Sequence, residues 1–233
     1  AGILYDRLLP SMASELLMEG RMIENRRYRE EITRAINLLV EAINKYDLTV
    51  EATEARLQGE VNGIPLLGYA DLLLRDNGGQ AFVLDMKWST SAKYRKLEVE
   101  DGSALQLATY AWMLRSADAA QDVHAGYFML AQGQFISDSP LLGGNAVISA
   151  RTLEEIWNMA VVSLGEVLTD LDKGLLKAHG VDELLTLIEE GETLEKIQAK
   201  RKEQYLEKGM LYQSPSCQYC DFGRLCGWAG GII

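Results

Sequence analysis

The chain has 233 residues, one domain by the usual length prior. Its 48% hydrophobic and 24% charged content is that of an ordinary globular protein and excludes disorder as the main state. No apolar run approaches the roughly 20 residues of a membrane span, and no basic-then-apolar signal peptide opens the sequence. With 23 Lys and Arg against 34 Asp and Glu the formal net charge is −11, which excludes the overall basic footprint of a general nucleic-acid binder. Local basic clusters at Arg26, Arg27 and Arg29, at Lys93, Arg95 and Lys96, and at Lys200, Arg201 and Lys202 read one by one as solvated faces. The sequence begins at Ala1 without an initiator Met and is expected to be a piece of something longer that lacks upstream sequence.

Residues 21–46 carry Tyr28, Ile32, Ile36, Leu39 and Ile43 at the four-and-three spacing of a helix with one buried stripe. Thr49–Glu60 reads as a strand, Asn62-Gly63 as a hairpin turn, and Pro65–Arg75 as a second strand. Asp76-Asn77-Gly78-Gly79 is another turn, and Ala81–Lys87 a short buried strand. A loop rich in Ser, Thr and Lys leads to a helix at about 103–117, then a strand at Val123–Leu130 and a hairpin-like excursion over Gln134–Ile148. From Thr152 to Lys208 the pattern is helical, broken near Gly180 and Gly191. Strands outnumber crossovers, so the expected fold is α/β, a mixed central sheet flanked by helices with a helical C-terminal extension.

The chemistry concentrates on two strands. Asp71 sits in an apolar strand and Asp85 ends the run Phe82, Val83, Leu84. A carboxylate in a buried strand costs several kcal/mol unless it is paired or bound to a cation. Two on adjacent strands repel, and a divalent metal removes the repulsion. Lys87, two residues past Asp85, falls on the same strand face. Two hard oxygen ligands beside an ammonium suit Mg²⁺ or Mn²⁺. Such a metal activates a water for in-line attack on a phosphate, with Lys87 stabilising the developing negative charge. Taken alone, Asp85-x-Lys87 is also the pattern of a surface ion pair; Asp71 in the preceding strand sets it apart. A two- or four-residue hairpin loop centred on Asn77-Gly78 would put the two carboxylates on opposite faces. A three-residue loop with Gly in the left-handed position, or a bulge, brings them together, and that shift is predicted.

Gln106 and Tyr110 lie one turn apart on the helix that follows. Ser103-x-x-Gln106 also has the form of a capping box, and Tyr110 of an amphipathic core residue. In the order Gly68-x-x-Asp71, Asp85-x-Lys87, Gln106-x-x-x-Tyr110 the chain resembles the PD-(D/E)XK nuclease superfamily, and within it the RecB/AddB-like exonuclease branch. The resemblance covers about residues 21–130, with the cysteine tail matched separately. It implies a restriction-endonuclease-like core of helix, three strands, helix and strand. The whole of 1–233 is then one nuclease domain, with a core at about 21–150, a helical extension at 151–210 and a cysteine-bearing tail at 211–233. It further implies that Asp71, Asp85 and the Met86 carbonyl hold the metal, that Lys87 is catalytic, and that Gln106 and Tyr110 position the DNA strand. A Glu at the start of the first strand often supports such sites, and both Glu51 and Glu54 qualify. Members of the branch usually add a metal-binding His from an upstream helix; here the histidines are His124 and His179, both downstream, read as structural and as a helix-end residue.

Cys217, Cys220 and Cys226 form a compact Cys-x-x-Cys-x5-Cys tail, an odd set unlike a disulfide framework, so a reducing, cytoplasmic setting is expected. The spacing suits thiolate ligation of iron–sulfur or zinc. In members of the same nuclease branch three such cysteines and an upstream fourth hold a [4Fe–4S] cluster; that fourth Cys is absent here, as is the upstream His, and one N-terminal truncation, or loss of an upstream segment in evolution, would explain both. The function implied is a Mg²⁺- or Mn²⁺-dependent DNA nuclease, an exonuclease first of all, in repair, recombination or CRISPR-associated processing. Lys93, Arg95 and Lys96 are the candidates for phosphate contacts, and the acidic charge fits DNA delivered by a helicase partner. The alternative is a catalytically incomplete nuclease-fold module that binds nucleic acid or scaffolds a helicase–nuclease complex. The missing His and Cys favour that alternative, and Asp71, Asp85 and Lys87 together favour the enzyme.

Overall fold

The computed structural model describes residues 1–119, 121–139, 147–175, 194–213 and 221. The chain divides into two compact units, Ala1–Glu155 and Ile156–Ile233. In the first, α1 (Gly2–Met12), a 3₁₀ turn (Ser14–Leu17) and α2 (Met22–Lys45) precede the strands β1 (Thr49–Val61), β2 (Ile64–Arg75) and β3 (Ala81–Lys87). Helices α3 (Lys93–Glu100) and α4 (Leu105–Ala117) then lead to β4 (Val123–Met129) and β5 (Gln134–Ser137).

The five strands form one sheet in the order β1-β2-β3-β4-β5. Every neighbouring pair is antiparallel except β3 and β4, so the sheet is mixed, as expected. The parallel pair is the one joined by helices, because parallel neighbours need a crossover that a hairpin cannot supply. Alternation splits the strands between two cores. Leu73, Val83, Ala125 and Tyr127 pack with Leu107, Ala111 and Leu114 of α4. Leu72, Leu74, Phe82, Leu84 and Phe128 pack on the other face with Ala35 and Leu39 of α2.

Turn chemistry sets both hairpin registers. Asn62 (φ 52°) and Gly63 (φ 76°) make the two-residue primed turn that pairs Val61 with Ile64. The second turn is closed by Asp76 N–H donating to Gln80 O at 3.0 Å, and Gly79 takes φ +88° while its N–H donates to Asp76 O at 3.1 Å. The Asp76 carboxylate also accepts from Gln80 N–H at 2.8 Å. The loop is therefore Asn77, Gly78 and Gly79, the odd-numbered form with a left-handed glycine. It sets Arg75 opposite Ala81 and Leu72 opposite Leu84, and one step further in that register Asp71 stands opposite Asp85.

Helices α1 and α3 depart from the sequence expectation, α3 occupying a stretch read as loop. Each buries a single residue, Leu9 and Val99, and α1 also contains Pro10. The excursion over Gln134–Ile148 resolves into β5, with residues 140–146 outside the described set.

Helix α5 (Leu153–Asp172) begins at a capping box. Thr152 N–H donates to Glu155 Oε2 at 2.7 Å and Thr152 Oγ accepts from Glu155 N–H at 3.1 Å, which holds the Glu155 carboxyl below its usual range. In the second unit α6 (Leu194–Glu207) is followed by Leu211, whose N–H donates to Ser163 Oγ of α5 at 2.9 Å. Arg201, one of the clustered cations, is buried here rather than solvated. The expected helix breaks at Gly180 and Gly191 lie outside the described residues, as do Cys217, Cys220, Cys226 and His179. Among the described residues no helix is long and apolar enough to cross a membrane.

The left-handed turn yields a test. Gly79→Ala should lower stability by about 1 kcal/mol in urea denaturation, because an L side chain is disfavoured at that φ. Gly78→Ala, at a position without positive φ, should cost less.

Candidate active site

The sheet places Asp71, Asp85 and Lys87 where two strands part. The β2–β3 ladder ends at Leu72 and Leu84, and beyond it β3 continues against β4 alone, with Asp85 level with Tyr127. At this fork Asp71 Oδ2 accepts a short hydrogen bond from Met86 N–H, replacing the main-chain bond that the ladder no longer supplies. Asp85 is 3% exposed, and its Oδ2 lies 2.6 Å from the half-buried Lys87 ammonium. Burial raises the Asp85 pKa first of all, Lys87 opposes that shift, and the facing Asp71 charge adds to it.

Helix α4 closes the site from one face. Gln106 Nε2 donates to Asp85 Oδ1 at 2.8 Å and to the Tyr110 hydroxyl at 3.1 Å. The Tyr110 hydroxyl donates in turn to Tyr69 O of β2 at 2.9 Å. Burial, then the Asp85, Asp71 and Glu54 carboxylates, push the Tyr110 pKa up, so the phenol keeps the proton it donates. The Gly of Gly68-x-x-Asp71 has a packing reason: a Cβ there would come within 3.2 Å of the Tyr110 ring. The polar ends of Gln106 and Tyr110 thus face Asp85 and the β2 backbone. The capping-box reading of Ser103 and Gln106 is corrected. The helix starts at Leu105, Ser103 Oγ donates to Glu98 O at 3.2 Å, and Gln106 turns to the buried carboxylate, a stronger acceptor than a main-chain group.

The open choice between two glutamates is separated by geometry. Glu51 is ion-paired with Arg75 at 2.7 Å, at the far end of the hairpin. Glu54 falls opposite Asp71 in the β1–β2 register, between the pairs Thr53–Leu72 and Ala55–Ala70, and holds φ +50°. A left-handed non-glycine residue inside a strand costs about 1–2 kcal/mol, strain of the kind found beside functional sites. Lys93, Arg95 and Lys96 lie on α3, not in a loop. Lys93 and Lys96 are exposed, the latter 3.6 Å from Glu100. Arg95 turns inward, 2.6 Å from Glu98 with its guanidinium 5.0 Å from the centre of the Tyr127 ring. Tyr127, fully buried and level with Asp85, went unread as a site neighbour because it sits in an apolar strand like any core aromatic.

His124 is placed as a structural residue at the opposite end of the parallel pair. Its ring stacks on Phe82 (5.4 Å, 17°) and its Nε2 lies 2.9 Å from Gln80 Nε2. Asp138, 3.6 Å from Nδ1, raises the His124 pKa against the opposing effect of burial.

Among the described residues no group of three or more His, Cys, Asp or Glu side chains is arranged to hold a metal. What the fork offers is two facing carboxylates and the adjacent backbone. That donor set fits Mg²⁺ or Mn²⁺, hard cations held through one or two carboxylates with waters and substrate phosphates completing the shell. It suits neither a soft metal nor a cage that binds Ca²⁺ by protein oxygens alone.

Comparison with known proteins bears directly on this arrangement. A family model of the PD-(D/E)XK nuclease superfamily matches residues 4–227, and the chain belongs to that superfamily. Its members are nucleases that typically use divalent metals. No curated protein matches the sequence. The solved structures similar to it include that of SSO0001, 15% identical, with a TM-score of 0.34 over 97% of this chain and 79% of that one, too distant to transfer anything.

Two outcomes test the electrostatics. Asp85→Asn should raise the thermal midpoint in EDTA, because it removes a buried charge facing a like charge while keeping the Gln106 contact. A lowered midpoint would mean that the Lys87 pair outweighs that penalty. For His124, a raised folded-state pKa makes its stabilisation complete below the ordinary histidine value and lost as pH climbs through the raised one. Urea denaturation across that window should show this decline in the parent and a flatter profile in Asp138→Asn.

Proposed function

We propose that the chain is a Mg²⁺- or Mn²⁺-dependent DNA nuclease, an exonuclease of the RecB/AddB-like branch. The observation that carries this reading is the odd-numbered turn, which puts Asp71 opposite Asp85 with Lys87 2.6 Å from the latter. A plain surface ion pair requires neither that register nor burial to 3% exposure.

Asp71, Asp85 and the Met86 carbonyl would hold the cation. When bound, it supplies Lewis-acid polarisation of the phosphate and a water of lowered pKa. The chain's own groups do the rest. Lys87 holds a fixed positive charge on the carboxylate face, where negative charge develops as a phosphodiester is attacked. Gln106 fixes the rotamer of Asp85, and Tyr110 ties Gln106 to the β2 backbone, so the two act as positioning residues. Met86 N–H orients Asp71. Exposed Lys93 and Lys96, six and nine residues past Lys87, are the available phosphate contacts.

The same reading makes 1–233 one nuclease domain acting in repair, recombination or CRISPR-associated processing in the cytoplasm. A net charge of −11 favours DNA handed over by a helicase partner rather than captured by search. Cys217, Cys220 and Cys226 would serve a structural [4Fe–4S] cluster or zinc ion, with a fourth ligand that is not a cysteine of this sequence.

End-labelled single- and double-stranded DNA incubated with Mn²⁺ or EDTA should be cut only with the metal. Asp85→Ala and Lys87→Ala should each reduce cleavage to background while remaining folded. Retained cleavage in either variant rejects the assignment. Neither cleavage nor calorimetric Mn²⁺ binding in the parent would leave a non-catalytic module.

A further inference from the structure

The apolar stripe of α2 is longer than the core it serves. Ala35 and Leu39 are buried in the cluster with Phe82 and Phe128. At neighbouring positions, Tyr28, Ile32 and Ile36 instead line, with Leu4 and Leu8 of α1 and with Trp88, an open cavity of about 560 Å³. Trp88 directly follows Lys87. While Lys87 turns back to Asp85, the Trp88 ring lies on the α2 side, 5.1 Å from the Tyr28 ring at 48°, and the residue stays 40% exposed. The Arg27 guanidinium stands 5.3 Å from the centre of Tyr28, and among the charged lining residues Arg21 pairs with Glu24 at 3.2 Å while Glu15 adds a second carboxylate.

Building on the nuclease reading, we propose that this cavity binds one unpaired nucleobase of the substrate strand, stacked on Trp88 and Tyr28, beside the phosphate that Asp71, Asp85 and Lys87 act on. Position supports it: the cavity opens off the C-terminal end of β3, where ligands collect in α/β sheets, one residue from the catalytic lysine. Size supports it, since 560 Å³ lies in the range of small-ligand sites. So does chemistry. Tilted aromatic faces over an aliphatic floor stack any base without reading its edge, and Arg27, shared between the Tyr28 ring and Glu31 at 3.7 Å, adds a cation beside the stack. A paired base cannot enter, so the cavity selects single strands or frayed ends.

The test is binding of fluorescein-labelled dT12 by anisotropy in EDTA, which needs no catalysis. A single abasic position is moved along the strand. The parent protein should lose about tenfold in affinity when one particular position is abasic. Trp88→Ala should lose a similar factor on the unmodified strand and become indifferent to that position, whereas Trp88→Phe keeps most of the affinity. A flat abasic scan, or full dT12 affinity in a folded Trp88→Ala, overturns the proposal. If Trp88→Ala does not fold, the scan on the parent and Trp88→Phe decides. Mn²⁺ cleavage run alongside separates the two readings: cleavage with a flat scan removes the pocket alone, and a position-dependent scan without cleavage removes the nuclease alone. A dimer that Leu4→Glu splits would assign the cavity to a second copy of the chain and overturn the nucleobase.

Discussion

Two carboxylates held face to face at the end of a β ladder are the constraint around which the first unit is organised. Like charges on neighbouring strands destabilise a fold, and Asp85 is nearly sealed from water. A chain that only needed to be stable would replace one of them with an apolar residue. This one surrounds them with compensating groups: an ammonium on Asp85, an amide on its other oxygen, and a main-chain N–H on Asp71. Two of these come from β3 and one from α4, and they act on carboxylates of β2 and β3, so the site exists only when β2, β3 and α4 are assembled.

The compensation also explains the spacing within α4. A residue that reaches Asp85 must sit on the first turn of the helix, and its support must sit one turn later. Gln106 and Tyr110 meet both demands, and the tyrosine hydroxyl ends on Tyr69 O, two residues before Asp71. The hydrogen bonds thus run from one carboxylate through the helix to the strand bearing the other. The close seating of Tyr110 on Gly68 is the steric half of the same link.

Much of this was legible from sequence where local rules govern. Helix α2 and strands β1 to β4 follow from periodicity, and the parity of the Asn77–Gly79 loop follows from the two glycines and the demand for one shared cation. What stayed hidden depended on partners distant in sequence. Ser103 and Gln106 have the form of a capping box, and only the proximity of buried Asp85 redirects the amide. Glu51 and Glu54 are equivalent until Arg75 claims the first. Arg95 reads as a free cation until Glu98 and Tyr127 are seen beside it. Helix α3 escaped because it buries a single residue.

The sheet end separates two kinds of surface through one peptide bond. Before it, Lys87 joins a charged, hydrogen-bonded face; after it, Trp88 joins an aromatic and aliphatic one. Charged groups act on a phosphate over short distances but carry little affinity in a protein of net charge −11, where long-range attraction for a polyanion is absent. Stacking depends less on that net charge than phosphate contacts do, so it is the form of binding an acidic protein can still supply. Set against the strand end proposed to be catalytic, it would hold a strand by the one part that duplex pairing hides, which turns an electrostatic weakness into selectivity for unpaired ends.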